Sequence, residues 1–159
     1  MLKKHNKKLE IVENESKYLN DFIRLNEEWI ISYFQLEDID RKLAENPQKV
    51  IDDGGYIYSL VLNNEVVGVC ALFNEGNNVY ELARMAVSPK HQGKGYGEKL
   101  INVCLSKAKE IKASKVYLVS NTKLETAIAL YTKHGFESVT KEQHPVYSRA
   151  NITMVHNAS

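Results

Sequence analysis

Residues 88–100 read SPKHQGKGYGEKL, with Gly93, Gly95 and Gly97 on alternate positions around Lys94 and Tyr96. The stretch follows the apolar run Val79–Val87 and precedes Leu100, Ile101, Cys104, Ala108 and Ile111, which recur at helical spacing. A strand therefore passes into a helix through glycine-rich chain. Glycines let successive backbone N–H groups face one anion without a Cβ in the way, and the helix adds the positive end of its dipole. Two readings fit: a loop that holds a phosphate, or a strand-to-helix turn that holds nothing.

Spacing separates the known phosphate loops. A P-loop ends in Gly-Lys-Ser/Thr, whereas Gly97 is followed by Glu98 and Lys99. The dinucleotide fingerprint needs G-x-G-x-x-G directly after a strand and an acidic residue about twenty positions on. Here the glycines give G-x-G-x-G, Ser88–Gln92 intervene, and the acid's place is taken by Val116, Tyr117 and Leu118. A third pattern, Gln/Arg-x-x-Gly-x-Gly/Ala, is met by Gln92, Gly95 and Gly97. It suits a pyrophosphate held mainly by main chain, with Lys94 adding charge.

Outward from the loop, the chain alternates between two periodicities. Leu9–Val12 reads as a strand. Phe22, Leu25, Trp29, Ile30 and Tyr33 form a helical stripe within Lys17–Phe34, and a shorter helix over Asp38–Glu45 ends ahead of Pro47. Tyr56–Leu62 and Val66–Phe73, separated by Asn63, Asn64 and Glu65, read as a hairpin. A turn at Asn74–Asn78 leads into Val79–Val87 and completes a three-stranded meander. After the central helix come a buried strand at Val116–Val119, a helix over Thr126–His134 stopped by Gly135, and strands at Phe136–Thr140 and Asn151–His156. This is a mixed α/β domain.

The bulk numbers fit one domain over 1–159: 43% hydrophobic and 26% charged residues, with a formal net charge of +1. That balance argues against a dedicated nucleic-acid binder. No apolar run reaches the length of a membrane span, and MLKKHNKKLEIVE is basic without the apolar core of a signal peptide, so a cytoplasmic protein is expected. Cys70 and Cys104 lie in apolar runs and read as buried thiols. No spacing points to a metal site.

Two stretches carry a family likeness. RMAVSPKHQGKGYGEKL (84–100) closely resembles the acetyl-CoA-binding motif of the GCN5-related N-acetyltransferase (GNAT) superfamily. AIALYTKHGFESV (127–139) resembles that superfamily's other signature, an aromatic-rich helix end followed by Gly-Phe, in family order and at family-like separation. The resemblance implies a central, mostly antiparallel sheet with splayed middle strands, flanked by about four helices. It also implies acetyl-CoA as acyl donor without a metal, its pantetheine arm along the main chain of Met85, Ala86 and Val87. The pyrophosphate would rest on Gln92, Gly93, Lys94, Gly95, Tyr96 and Gly97.

Acetyl transfer to an amine needs a neutral nucleophile, donors for an oxyanion and a proton for the departing thiolate. Glu81 suits the first task. Period-two alternation sets it on a strand face with Val79, Ala83, Met85 and Val87, where burial raises a carboxyl pKa. Several family members carry a glutamate base at this position. An ion pair with Arg84 or a lysine is the other reading, although regular alternation turns Arg84 to the opposite face. Tyr131 stands where the family often places a tyrosine hydroxyl beside the thioester sulfur; a core aromatic is the alternative. The oxyanion falls to a main-chain N–H near Val87.

The commoner family form has an asparagine three residues before Ala127, where this chain has Leu124. Asn121, in LVSNTKLETA (118–127), resembles the arrangement of a family subset and is the candidate pantetheine contact. LNEEWIISYFQLEDID (25–40) offers Trp29, Tyr33, Phe34 and Glu37 as an aromatic wall with a carboxylate for an amine, a small molecule or a peptide. The same residues also fit a buried stripe and helix capping. With both Glu81 and Tyr131 present, an enzyme is expected rather than a non-catalytic CoA sensor on the same fold. Homodimers are common in the family, and the sequence leaves the oligomeric state open.

Overall fold

The computed structural model describes residues 8–140 and 148–157. Strand β1 (Leu9–Glu13) and a 3₁₀ turn at Ser16–Tyr18 lead into helix α1 (Leu19–Tyr33). This helix buries Leu19, Phe22, Leu25, Asn26 and Ile30 at three- and four-residue spacing. Tyr33, expected in that stripe, is instead 50% exposed. Helix α2 (Asp38–Glu45) has the expected bounds. It ends ahead of Pro47 as expected, and Pro47 then opens a further short helix, α3 (Gln48–Asp52), which the sequence reading did not include. A proline at a helix start lacks only an N–H that the first turn would leave unbonded.

The meander then forms as read: β2 (Tyr56–Leu62), β3 (Glu65–Asn74) and β4 (Val79–Val87). Asn63 and Asn64 have φ of +49° and +71°, a two-residue turn whose twist suits a hairpin. Leu62 therefore faces Glu65, which belongs to β3 rather than to the turn. The chain continues through α4 (Tyr96–Glu110), β5 (Lys115–Ser120) and α5 (Glu125–Lys133). Gly135, at φ +95°, stops α5, and β6 (Phe136–Thr140) and β7 (Ile152–His156) close the fold.

The seven strands make one sheet in the order β1-β2-β3-β4-β5-β7-β6. Only β4 and β5 pair in parallel, and only through Val79–Glu81 against Lys115–Tyr117. Beyond Glu81 the two strands part, which is the expected splay. The backbone edge of β4 from Leu82 to Val87 thus faces an opening instead of β5.

Each face of the sheet carries a core layer. Leu60, Val67, Cys70, Leu72, Leu82 and Phe136 pack with Leu100, Ile101 and Cys104 of α4 on one face. Phe22 and Leu25 of α1 cover Ile57, Val61, Val69, Ala71 and Ala86 on the other. Cys70 and Cys104 are both fully buried. Among the described residues no helix is long and apolar enough to cross a membrane.

Alternation along β4 breaks once. Ala83 faces Ala71 and Ala86 faces Val69, so Arg84 and Met85 together oppose Cys70 alone. This is a β-bulge, with Arg84 at φ +61°. The regular strand assumed from sequence is corrected here. Met85 and Val87 pack with the α4 layer, whereas Tyr80 and Leu82, the neighbours of Glu81, already occupy that layer. Glu81 therefore shares its face with Ala83 and Ala86, not with Met85 and Val87, and Arg84 turns toward α2 instead of away from it.

Candidate active site

The glycine loop has the geometry its composition demands. Gly93 and Gly95 have φ of +79° and +80°, and a Cβ at either would meet nothing within 4 Å. They are needed for backbone conformation, not for close packing. Lys99 N–H makes the first i→i−4 bond of α4, to Gly95 O at 3.1 Å. The N–H groups of Gly95, Tyr96, Gly97 and Glu98 thus have no acceptor within the helix and point out of its start. Tyr96 supplies only its main chain there, since its ring is buried and stacks on His91. Gln92 Nε2 donates to Val87 O at 3.3 Å, tying the loop to the end of β4.

Three clefts run together along this side of the sheet. One, of about 460 Å³, is lined by Val87, His91, Gln92, Gly93, Gly95, Gly97 and Leu130 among others. The next, of about 1020 Å³, is lined by Met85, Ala86 and Val87 opposite Thr126, Ala127 and Leu130 of α5, with Gln92 and Gly97 at one end. The third, of about 710 Å³, lies in the splay between β4 and β5 and includes Glu81 and Tyr131. Trp29, Met85, Leu124 and Ala127 line both of the last two, which therefore meet. His91 Nδ1 is buried without a hydrogen-bond partner beside the loop cleft. A main-chain anion cradle, an orphaned polar atom and an open strand edge fit a nucleotide-linked pantetheine.

Glu81 is 8% exposed in the splay. Burial, then the Glu75 carboxylate, push its carboxyl up to about 7, against a smaller opposing effect of Arg84. A carboxyl poised there can take a proton near neutral pH. Tyr131 is half-buried, and its ring meets Phe136 edge-on at 6.2 Å. Burial, with a lesser effect of Cys70, raises its phenol well above the ordinary range and keeps it a donor. Sequence reasoning named both groups, and the splay brings them into one cleft.

The other expected residues divide. Trp29 and Phe34 line the third cleft, and Tyr33 joins Trp29 on the second. Trp29 packs its ring on both, at centroid distances of 5.2 Å and 6.0 Å. Glu37 stands outside the lining of these clefts; it precedes α2, and its carboxylate binds Ser148 N–H and Arg149. Lys94 is exposed on the loop and likewise outside the lining. Asn121 lines the third cleft, not the second, with its amide in internal bonds: Nδ2 donates to Arg149 O and Oδ1 accepts from Lys123 N–H. Arg84, Arg149 and Asn26 also line this cleft and carried no local sequence signal. Among the described residues no group of three His, Cys, Asp or Glu side chains gathers as a metal site.

The splayed sheet, the loop and the joined clefts define the fold class as that of the acyl-CoA N-acyltransferases. Residues 20–136 match the acetyltransferase (GNAT) family, and the chain belongs to that family. It is 33% identical over 95 residues to the uncharacterised N-acetyltransferase YjgM of Escherichia coli K12, a match spanning 57% of this chain and 57% of that relative. A GNAT acetyltransferase from Staphylococcus aureus MU50 superposes with a TM-score of 0.84 at 21% identity, covering 96% of this chain and all of the other (100%). The PaiA N-acetyltransferase of Thermoplasma acidophilum, solved in complex with coenzyme A, gives 0.72 at 16% identity, over 94% and 98%. At these identities the structural likeness is one of fold.

Proposed function

We propose that the protein transfers an acetyl group from acetyl-CoA to a primary amine of a small molecule or peptide, by direct attack within a ternary complex. The observation that carries this is the junction of the clefts. A path begins at the anion cradle of α4, follows the unpaired edge of β4, and opens past Met85 and Trp29 onto Glu81 and Tyr131.

In this reading Gln92, Gly93, Gly95, Tyr96 and Gly97 bind the pyrophosphate, chiefly by main chain, with Lys94 adding charge. The backbone edge at Met85–Val87, which does not pair with β5, aligns the pantetheine. Glu81 accepts a proton from the incoming ammonium, directly or through water. The amine nitrogen bonds to the acetyl carbon as the C–S bond breaks. A main-chain N–H near Val87 faces the developing oxyanion, and Tyr131 protonates the thiolate. The first amine proton leaves through Glu81 to solvent, and the second, shed as the amide forms, replaces the one Tyr131 gave to the thiolate, so both groups return to their starting state. Asn121 acts by holding the β5–α5 connection and the main chain of Arg149.

The test is acetyl-CoA turnover across a panel of amino acids, polyamines, aminoglycosides and peptides, read as thiol release and as amide product. Amine-dependent release supports the reading. Tight CoA binding with no turnover of any amine would leave a CoA-binding module instead.

A further inference from the structure

The acceptor cleft holds two arginines that this mechanism does not use. Arg84 sits on the β4 bulge, Arg149 just ahead of β7, and both line the cleft that contains Glu81. Both reach one buried carboxylate. Asp40 Oδ1 accepts from Arg84 Nη1 at 2.7 Å and from Arg149 Nη2 at 2.7 Å, while Asp40 Oδ2 accepts from Arg149 Nη1 at 2.8 Å. Glu37 Oε2 accepts from Arg149 Nη1 at 3.0 Å. The Asp40 side chain is 1% exposed, and neither Asp40 nor Glu37 belongs to the cleft lining.

Two features argue that more than cementing is involved. Buried ion pairs recover little of their desolvation cost, and apolar side chains of similar size usually hold elements together as well. The bulge also places Arg84 in a left-handed conformation that arginine rarely adopts, held by Asn26 Nδ2 donating to Arg84 O at 3.2 Å. Such strain persists where a structure over-determines it, commonly at working sites.

Among the described residues, the charged ones lining the cleft are then Arg84, Arg149 and Glu81. As a set with Asp40 and Glu37 the arginines are neutral, but in a low-dielectric cleft the nearer charges dominate. Among these residues a polycation would meet two cations and a single carboxylate. A guanidinium pair is instead the natural complement of a carboxylate.

We propose that Arg84 and Arg149 determine acceptor specificity by receiving a carboxylate carried close to the reacting amine, so that the acceptor is of the amino-acid class. This rests on the N-acetyltransferase reading above. It places the amine toward Glu81 and the carboxylate toward Arg84 and Arg149.

The experiment compares kcat/KM for amino acids with their carboxamides and decarboxylated amines. The expected preference for the acids is about tenfold or more, the usual effect of removing one charge-assisted hydrogen bond between substrate and site. Arg149→Gln and Arg84→Gln should collapse that ratio, and Arg149→Lys should restore part of it, with CoA affinity unchanged. A purely structural cluster would lower turnover of acid and amide alike and leave the ratio intact. Equal use of acids and amides by the unmodified protein overturns the proposal while leaving acetyl transfer standing. If no amine is turned over, the functional reading fails. Calorimetric binding of amino acids against their amides, with CoA present, then decides this proposal: an Arg149-dependent preference supports it and equal binding overturns it.

Discussion

Glu81 and Tyr131 both owe their assigned roles to burial, which raises the pKa of each. Burial makes the carboxylate a better base and keeps the phenol a donor. Tyr131→Phe should therefore lower kcat by about a hundredfold, the lower range for a lost general acid, while CoA affinity measured by calorimetry stays the same. Glu81 also links to stability. Its folded pKa lies near 7, above the ordinary 4.5, so the native state binds the proton more tightly than the unfolded chain. The contribution is full below pH 4.5 and is lost as pH rises through 7, on the order of 3 kcal/mol. Denaturant titrations of Glu81→Gln should lack that decline, and its pH–rate profile should lose the acidic limb. An unaltered limb removes Glu81 as base.

At the scale of elements, the loop and the bulge show what sequence can and cannot display. Gly95 needs φ +80° and has open space around it, so Gly95→Ala tests conformation alone. A left-handed alanine costs about 1–2 kcal/mol, which should lower Tm by a few degrees where the free loop keeps this conformation, or weaken CoA binding by about tenfold where the loop relaxes and must regain it on binding. Gly93 and Gly95 were legible because only glycine adopts that conformation freely and the pattern is local. Helix bounds such as Asp38–Glu45 were legible from periodicity for the same reason. The bulge was not: nothing in VYELARMAV announces that Arg84 will leave the alternation, since Asn26 and Asp40 hold it from distant elements. The Arg149–Asp40 pair, 109 positions apart, is a tertiary contact with no local trace. Glu37 was read from sequence as either a helix-capping residue or an acceptor contact; the capping is present, its bonds to Ser148 and Arg149 are internal, and it lies outside the cleft linings. Pro47 marked the end of α2 correctly, but the short helix α3 that it opens was not legible, because proline both ends and starts helices.

For the molecule as a whole, the second and third clefts join at Trp29, Met85, Leu124 and Ala127. Direct transfer across that junction predicts intersecting initial-rate lines when acetyl-CoA and amine are varied together; parallel lines would indicate a covalent acyl-enzyme. Cys70 and Cys104 are buried in the α4 layer, so Cys70→Ala and Cys104→Ala should retain amine-dependent turnover. CoA should raise Tm as its concentration exceeds Kd, because it binds only the folded chain. The most direct measurement is thiol release from acetyl-CoA with and without each member of an amine panel, paired with mass detection of the acetylated product. Stoichiometric, amine-dependent release that drops in Tyr131→Phe is the predicted result. Saturable CoA binding with no amine-dependent release from any acceptor would contradict it.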